Sequence, residues 1–413
     1  MKRIMKDKLF AGIDIGSTNI YIAVGKKNSE GIQEIIGACC VPSSGVKEGM
    51  VVSIENAVIS ISMALREAEA SADMRIKKVN VGIKGQHIES FNYDSSIRIS
   101  RLDKEIFKED IIRVLDSARA VHIPPEKEII HVIPLEYKVD NQQSVENPVG
   151  MEGTHLVAKV HIVFGLSTAI NNVVRCINRA GLGCSRIILG ILAASEIVVT
   201  KEEKEFGCVL IDIGGQSINF AIFRTGYLQF IKQLPIGADF ITRDIAIMFQ
   251  ILPSEAKRIK EAFGNAEASL VIDDQVITAT AMDNISQVRI SQKYLGEIIE
   301  SRTREMIGYI KEEIRNTDYE GLLPSGAILI GGGSMLNGIR DLAADILQMH
   351  VHLGIPHNVT GPNPVTESPL YATAIGLVKY ADDNIESPIK DTKPKGFLGD
   401  IIKQLKAVLD QVF

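Results

Sequence analysis

The stretch Cys208-Val-Leu-Ile-Asp-Ile-Gly-Gly-Gln-Ser-Ile-Asn-Phe-Ala-Ile-Phe223 decides the fold of this 413-residue chain. An apolar run ends in Asp212, passes through two glycines and returns as an apolar, β-branched run, which is the pattern of a β-hairpin. Nearly the same pattern occupies Leu9-Phe-Ala-Gly-Ile-Asp-Ile-Gly-Ser-Thr-Asn-Ile-Tyr-Ile-Ala-Val24, with Asp14 at the matching place. The repetition predicts two related halves, each of which begins with the same hairpin.

The turns of both hairpins are suited to hold phosphate. Each offers backbone N–H groups that no large side chain shields, hydroxyl groups, and one carboxylate that can reach Mg²⁺ through water. A single such turn is better explained as an ordinary hairpin turn. Because the pattern occurs twice, we interpret it as a pair of phosphate-binding turns. A third glycine-rich turn, Gly331-Gly-Gly-Ser334, lies between a predicted strand and a helix, where a ligand can approach the backbone.

Length and composition narrow the class of protein. A chain of 413 residues predicts two to four domains, and a content of 46% hydrophobic and 23% charged residues is that of an ordinary soluble protein. The net charge of −6, without a broad basic surface, argues against nucleic acid as a partner. The five cysteines lack metal-site or redox spacing, which predicts reduced residues in a cytosolic protein. We expect no signal peptide and no membrane-spanning helix.

Between the two hairpins the chain changes character. Residues 85–164 are more polar and contain one predicted helix followed by two strand-like pieces, which together predict a small α+β insertion. Beyond it, Ser167 and Ser291 are predicted to cap helices, the second of which is long.

The end of the chain divides into a polar and an amphipathic stretch. Residues 381–395 are charged, carry two prolines and predict a flexible tether. In residues 396–413, at about 100° per residue, the apolar side chains share one helix face. That face comprises Phe397, Leu398, Ile401, Ile402, Leu405, Val408, Leu409, Val412 and Phe413. A docked core helix is the usual meaning of such a stripe. A core helix rarely follows a solvated tether, however, which leaves a membrane surface or a partner groove. The short length, the aromatic ends and the lack of heptads favour the membrane.

These motifs resemble the superfamily of actin, heat-shock chaperone and sugar kinase ATPases, an α/β fold with two lobes built from duplicated ribonuclease H-like domains. Within it the chain is similar, nearly end to end, to the FtsA family of bacterial cell-division proteins, actin homologues that tether FtsZ filaments to the membrane. The insertion falls where that family carries its 1C subdomain. The specific stretches are His131-Val-Ile-Pro-Leu-Glu-Tyr137, Asn147-Pro-Val-Gly150, Ala158-Lys-Val-His161, 235–246 and the tether with its tail.

The resemblance implies a division of the chain. Subdomain 1A would comprise 1–84 and 165–200, 1C would be 85–164, 2A would comprise 201–252 and 318–380, and 2B would be 253–317, followed by the linker 381–395 and a membrane-targeting amphipathic helix at 396–413.

The resemblance also implies cofactors and site residues. ATP would bind with Mg²⁺, which Asp14 and Asp212 would hold through water. The first phosphate loop would be Asp14, Gly16, Ser17, Thr18 and Asn19; the second would be Asp212, Gly214, Gly215, Gln216 and Ser217; the adenosine side would be Gly331, Gly332, Gly333, Ser334 and Met335, with Lys257 and Lys260 beside adenine and ribose. The FtsZ C-terminal peptide would bind subdomain 2B, where Lys293 and Arg302 are candidates. The alternative for both is a solvated helix face.

Two departures from the family pattern bear on catalysis. Gln216 stands where many relatives have glycine, and its side chain is expected to crowd the place of the γ-phosphate. At Gly190-Ile191 the polar residue that orients the attacking water in many relatives is absent, and Glu196 is expected to face elsewhere. Because hydrolysis needs a base within reach of that water, we expect ATP binding with slow or undetectable turnover and name no catalytic residue.

The implied function is an ATP-binding protein of the division septum that polymerises on the cytoplasmic face of the membrane and tethers FtsZ filaments there. Further division proteins would bind the 1C region. Two alternatives remain open at this point. An actin-like assembly platform of a pilus system would share the insertion, and a sugar or acetate kinase would share the hairpin turns. Binding of the FtsZ peptide would distinguish a division protein from the pilus platform. Phosphoryl transfer to a small substrate would identify the kinase.

Overall fold

Residues 9–27, 33–140, 142–145, 147–272 and 274–382 are described by a computed structural model. These described residues form one compact unit. The strands are β1 (Phe10–Ile15), β2 (Asn19–Lys27), β3 (Gln33–Pro42), β4 (Val46–Lys47), β5 (Met50–Val51), β6 (Lys78–Ile83), β7 (Glu89–Arg98), β8 (Lys127–Val139), β9 (Gln142–Val145), β10 (His155–Leu166), β11 (Gly183–Leu189), β12 (Cys208–Ile213), β13 (Ile218–Arg224), β14 (Tyr227–Leu234), β15 (Val276–Thr280), β16 (Gln287–Ser291), β17 (Ala327–Ile330), β18 (Val351–Leu353) and β19 (Val359–Thr360).

Helices cover the faces of the sheets. They are α1 (Ile54–Ala72), α2 (Lys108–Arg119), α3 (Ser167–Arg179), α4 (Gly190–Val198), α5 (Lys201–Phe206), α6 (Ala238–Phe249), α7 (Pro253–Phe263), α8 (Gln292–Arg315), α9 (Ile339–Leu347), α10 (Asn363–Thr366) and α11 (Ala372–Asp382). Ser291 caps α8 as predicted, since its side chain accepts a hydrogen bond from the Tyr294 N–H. The prediction for Ser167 is wrong, because it is the first residue of α3 and Leu166 occupies the cap position without a side-chain bond.

Two sheets repeat one plan. The first has the order β11-β6-β1-β2-β3-β19 and the second the order β14-β13-β12-β17-β18. In each, the predicted hairpin is antiparallel, as β1 with β2 and β12 with β13, and a parallel strand lies on its other side, β6 beside β1 and β17 beside β12. The central strands are fully buried because both faces are covered, which explains their continuous apolar sequences.

The predicted insertion is a separate sheet. Its order is β7-β10-β8-β9, all antiparallel, and α2 packs on one face. His131 on β8 ties the insertion to the first lobe, because its Nε2 accepts the backbone N–H of Leu189 at 2.9 Å. The α/β class, the duplicated lobes and the α+β insertion are therefore confirmed.

The last described elements return to the first lobe. Strand β19 pairs with β3, and the side-chain amide of Asn80 donates to the Leu377 carbonyl of α11 at 2.9 Å. Gly12 leaves the backbone of α11 room to lie directly on β1. Within 318–380, which the resemblance assigns to subdomain 2A, β19 and α11 therefore pack on the sheet of the first lobe.

The predicted end of the chain lies almost wholly outside the described residues. Residues 381 and 382 still belong to α11, whereas the rest of the expected linker and the whole amphipathic helix fall beyond Asp382. None of the helices that the structure describes has the length and apolarity to cross a membrane.

Candidate functional site

The two hairpin turns have the same geometry. In the first, the Gly16 N–H donates to the Asn19 carbonyl at 3.0 Å; in the second, the Gly214 N–H donates to the Ser217 carbonyl at 3.0 Å. A side chain on either glycine would collide with that carbonyl. Glycine is therefore required at both places to close the turn so tightly.

Both turns face one cavity of about 550 Å³ between the two lobes. This volume lies within the range of small-molecule sites. The structure brings together sixteen of the seventeen predicted nucleotide-site residues in its wall, namely Asp14, Gly16, Ser17, Thr18, Asn19, Asp212, Gly214, Gly215, Gln216, Ser217, Lys257, Lys260, Gly331, Gly332, Gly333 and Met335. The exception is Ser334, which is buried behind the wall and whose hydroxyl donates to the Gly331 carbonyl at 2.7 Å.

The two lobes supply different chemistry next to these turns. In the first lobe, the Lys84 ammonium follows β6 and lies 3.0 Å from Oδ1 of Asp14. Burial alone would lower the pKa of Lys84, but the carboxylates of Asp14 and Asp212 outweigh it and raise that pKa. Lys84 is therefore charged, and it sits between the two carboxylates.

Asp212 has no such salt bridge among the described residues. It is 8% exposed, and burial together with the charge of Asp14 raises its pKa, an effect that Lys84 opposes. Behind Lys84 and Asp212 lies a chamber of about 20 Å³, enough for one water molecule. Its remaining wall includes Gly190 and Ile191, as the sequence indicated, so that α4 brings no polar side chain to this place.

Glycines keep the space around the second turn open. A side chain at Gly215 would overlap the Thr18 hydroxyl and lie 2.8 Å from Oδ2 of Asp239. That hydroxyl donates to Asp239 at 2.9 Å, which is a contact from the first lobe to the start of α6 in the second. A side chain at Gly333 would collide with Ile213. Both glycines therefore permit a close approach of backbone that any larger residue would prevent.

Gln216 does not point where the sequence suggested. Its Oε1 accepts the backbone N–H of Glu48 at 3.2 Å, so the side chain reaches across to the β4–β5 hairpin of the first lobe. The prediction that Glu196 faces elsewhere agrees with its ion pair to Lys204 at 2.7 Å.

The two lysines of α7 differ in environment. Lys257 is exposed at the cavity edge and lies 3.9 Å from Glu261. Lys260 is buried, its Nζ donates to the Ala238 carbonyl at 3.1 Å, and burial lowers its pKa. Lys260 thus holds α7 against the start of α6 while it lines the cavity.

The two residues predicted to meet a peptide lie on α8, away from this cavity. Lys293 is exposed in the first turn of the helix. Arg302 is bound within the chain, with its Nε 2.5 Å from Asp244 and a second ion pair to Glu305.

Sequence reasoning missed several polar residues in the cavity wall, among them Lys84, Asn219, Asp239 and Thr373. Lys84 has no local signal, because only the parallel pairing of β6 with β1 brings it to Asp14, seventy positions away. Asn219 could have been found from the hairpin itself, since it faces Asp212 in the register of β12 and β13. Within the ranges that the structure describes, no group of three or more His, Cys, Asp or Glu is arranged to hold a metal directly.

Solved structures share this architecture. A type IV pilus biogenesis complex of PilM and PilN matches with a TM-score of 0.65 and 18% identity, over 91% of this chain and 98% of that chain. MreB5 of Spiroplasma citri bound to ADP matches with a TM-score of 0.56 and 13% identity, over 92% and 99%. At such identities the likeness shows the actin-like fold alone.

Sequence relatives are more specific. The family described as "Cell division protein FtsA" matches residues 209–376, and the "SHS2 domain inserted in FTSA" matches residues 85–164. Cell division protein FtsA of Pseudomonas aeruginosa is 37% identical over 92% of this chain and 91% of its own length. That of Escherichia coli K12 is 32% identical over 98% of both. The chain therefore belongs to the FtsA family of actin-like cell-division proteins.

Proposed function

We propose that the chain binds ATP with Mg²⁺ in the cavity between the two hairpins. The observation that carries this proposal is the pair of equal turns, each closed by a glycine, that face each other across one cavity with a buried carboxylate beside each. Backbone N–H groups of the turns would hold phosphate oxygens, and Asp14 and Asp212 would hold the metal through water. Both carboxylates are buried, and the Asp14 oxygens lie 3.0 and 3.1 Å from the Lys84 ammonium, so a metal-bound water would share the Asp14 carboxylate with Lys84.

The adenosine would lie along Gly331–Gly333 and Met335, with Lys257 and Lys260 opposite. Met335 is exposed, and a side chain on Gly332 would meet only Leu370, at 3.9 Å, which leaves room for a flat base beside them. The bound nucleotides of two MreB5 structures of the same fold support this class of ligand.

Turnover of ATP should be slow or undetectable. The chamber beside Lys84 has the hydrophobic Ile191 where a base would have to stand, and Glu196 is engaged by Lys204. Steady-state phosphate release tests this expectation. Robust release that Asp212→Ala abolishes would overturn it.

The division role that we propose is assembly on the cytoplasmic face of the membrane at the septum. Head-to-tail contacts between actin-like subunits generate open filaments, and each tail at 396–413 binds the membrane weakly. A filament presents many tails at once, so multivalency makes attachment strong only after assembly. Partners at the insertion would be further division proteins.

Attachment is tested by pelleting with liposomes. The full chain and a chain that ends at Lys395 are compared with and without ATP. We expect only the full chain to pellet, and more of it with ATP. Equal pelleting of both chains, or of neither, would show that the tail is not a membrane anchor.

The partner that we propose for subdomain 2B is the acidic and apolar C-terminal peptide of FtsZ. Lys293 is exposed beside Tyr294, which is 42% exposed and packs edge-to-face on Phe249. Met248 and Met282 are also exposed, and the Met282 N–H donates to the Gln250 carbonyl, which places Met282 beside the end of α6. This surface offers apolar contact next to a cation. Arg302 would have to release Asp244 to take part.

Binding of that peptide to the full chain discriminates an FtsZ tether from a pilus platform. We expect Lys293→Glu to weaken binding about tenfold, because attraction becomes repulsion. Arg315→Glu at the other end of α8 is the matched control and should leave binding unchanged. If both variants bind as the unchanged chain does, the peptide does not dock here.

A further inference from the structure

The β4–β5 hairpin has a turn that its own strands do not satisfy. Val46 pairs with Val51 and Lys47 with Met50, so that Glu48 and Gly49 form the two-residue turn. Both have positive φ, 50° and 82°, as in the type I′ turn of tight hairpins. The N–H and C=O of Glu48 therefore point away from the short ladder and need partners elsewhere.

Two glutamines of the second lobe supply these partners. Oε1 of Gln216 accepts the Glu48 N–H at 3.2 Å, and Nε2 of Gln233 donates to the Glu48 carbonyl at 3.1 Å. One residue of the first lobe is thus held at both its backbone polar groups by side chains of the other lobe. We name Glu48, Gln216 and Gln233 the Glu48 clamp.

The clamp lies where three parts of the nucleotide site meet. Gln216 belongs to the second phosphate turn and lines the cavity. The N–H of Gly49 bonds to Oγ of Ser17 in the first turn at 3.1 Å. The Gly49 backbone also lies against the Lys84 carbonyl, so closely that an added side chain would approach it to 2.9 Å.

We propose that the Glu48 clamp holds the two lobes closed over the phosphate end of the cavity, with Gln216 and Gln233 as positioning residues for nucleotide binding. This inference rests on the proposed nucleotide site. At the position where many relatives have glycine, Gln216 makes a contact between the lobes. The amide of Gln216 has both an acceptor, which the hairpin uses, and a donor, which no described residue takes and which can face a phosphate oxygen.

Gln233 makes the test specific, because it does not line the main cavity. We expect Gln233→Ala to weaken binding of both ATP and ADP about fivefold, through a smaller closed fraction. We also expect it to speed amide exchange at Glu48 and Gly49. Gln216→Ala should weaken nucleotide binding and speed this amide exchange more strongly. The matched control is Gln229→Ala on the same strand, whose Nε2 donates to the Arg224 carbonyl within its own lobe, and it should do neither.

The inference is overturned if Gln233→Ala leaves nucleotide affinity unchanged, whether or not exchange at the hairpin rises. It is also overturned if Gln229→Ala has the same effect as Gln233→Ala. If the unchanged chain binds no ATP at all, the proposed function fails instead. Faster exchange in Gln233→Ala than in Gln229→Ala would then still support the clamp as a contact between the lobes.

Discussion

The two hairpin turns of the cavity have one backbone geometry and different neighbours. Beside the first, the parallel strand β6 is followed by Lys84, which neutralises Asp14; beside the second, the parallel strand β17 is followed by Gly331–Gly333, which add no charge. Asp14 pairs in register with Gly82 and Asp212 with Ile330, so Lys84 and Gly332 occupy equivalent places. The duplicated fold thus places a charged side chain beside the first turn and glycines beside the second. This arrangement suits a ligand with phosphates at one end and a base at the other.

The largest effect is expected when the charge of the first lobe is removed. Lys84→Met leaves two buried carboxylates without their cation, and we expect the free energy of unfolding at pH 7 to fall by about 3 kcal/mol. Urea titration measures it. Adding Asp14→Asn should restore much of the loss, because one of the two carboxylates is then neutral.

Lys257→Met is the matched control, since Lys257 lies in the same cavity wall but is exposed. It should change stability by about 0.5 kcal/mol or less. An equal loss for both lysines would contradict the asymmetry between the turns.

The second effect concerns the insertion, which only the first lobe carries. Burial, together with the charge of Arg119, lowers the pKa of His131 to about 4. Burial also lowers the pKa of His161 to about 4. Because both values lie below the ordinary value of about 6.5, protonation favours the unfolded chain. The stabilisation that the folded chain gains from keeping these two rings neutral is complete above pH 7. It is lost as the pH falls from 6.5 towards 4.

Between pH 7 and pH 5 we expect each histidine to reduce the free energy of unfolding by about 2 kcal/mol. His131→Gln keeps an acceptor for the Leu189 N–H without a titrating ring. The free energy of unfolding of this variant should therefore fall by about 2 kcal/mol less between pH 7 and pH 5. His122→Gln, at an exposed histidine of the insertion, is the control. The same drop in all three chains would show that these rings do not titrate as their burial indicates.

The third effect concerns the open space of the second turn. Gly215→Ala places a methyl group against the Thr18 hydroxyl and Asp239, which keeps the lobes from closing. We expect ATP affinity to fall at least about tenfold with little loss of stability, because both cores are intact. Gly308→Ala on α8, where a methyl group meets nothing within 4 Å, should leave ATP affinity unchanged and raise stability by about 0.5–1 kcal/mol.

Much of the fold and of the site was predictable from the sequence, and some of it was not. The paired Asp-Ile-Gly turns predicted the hairpins and the part of the cavity wall that the two turns form, because tight turns require glycine at fixed positions. Lys84 could not be found in this way, since its meeting with Asp14 depends on the order of strands in the sheet. The reach of Gln216 to Glu48 depends on how the lobes face each other, and the pairing of Arg302 with Asp244 depends on how α8 packs against α6.

The central claim is that both turns serve one nucleotide. The most direct measurement is a calorimetric titration of the full chain with ATP in the presence and absence of Mg²⁺, repeated for Asp14→Asn and Asp212→Asn. We predict one ATP per chain, dependent on Mg²⁺, and an affinity at least about tenfold lower in either variant. Binding that neither substitution affects, or two ATP molecules bound independently, would contradict a shared site.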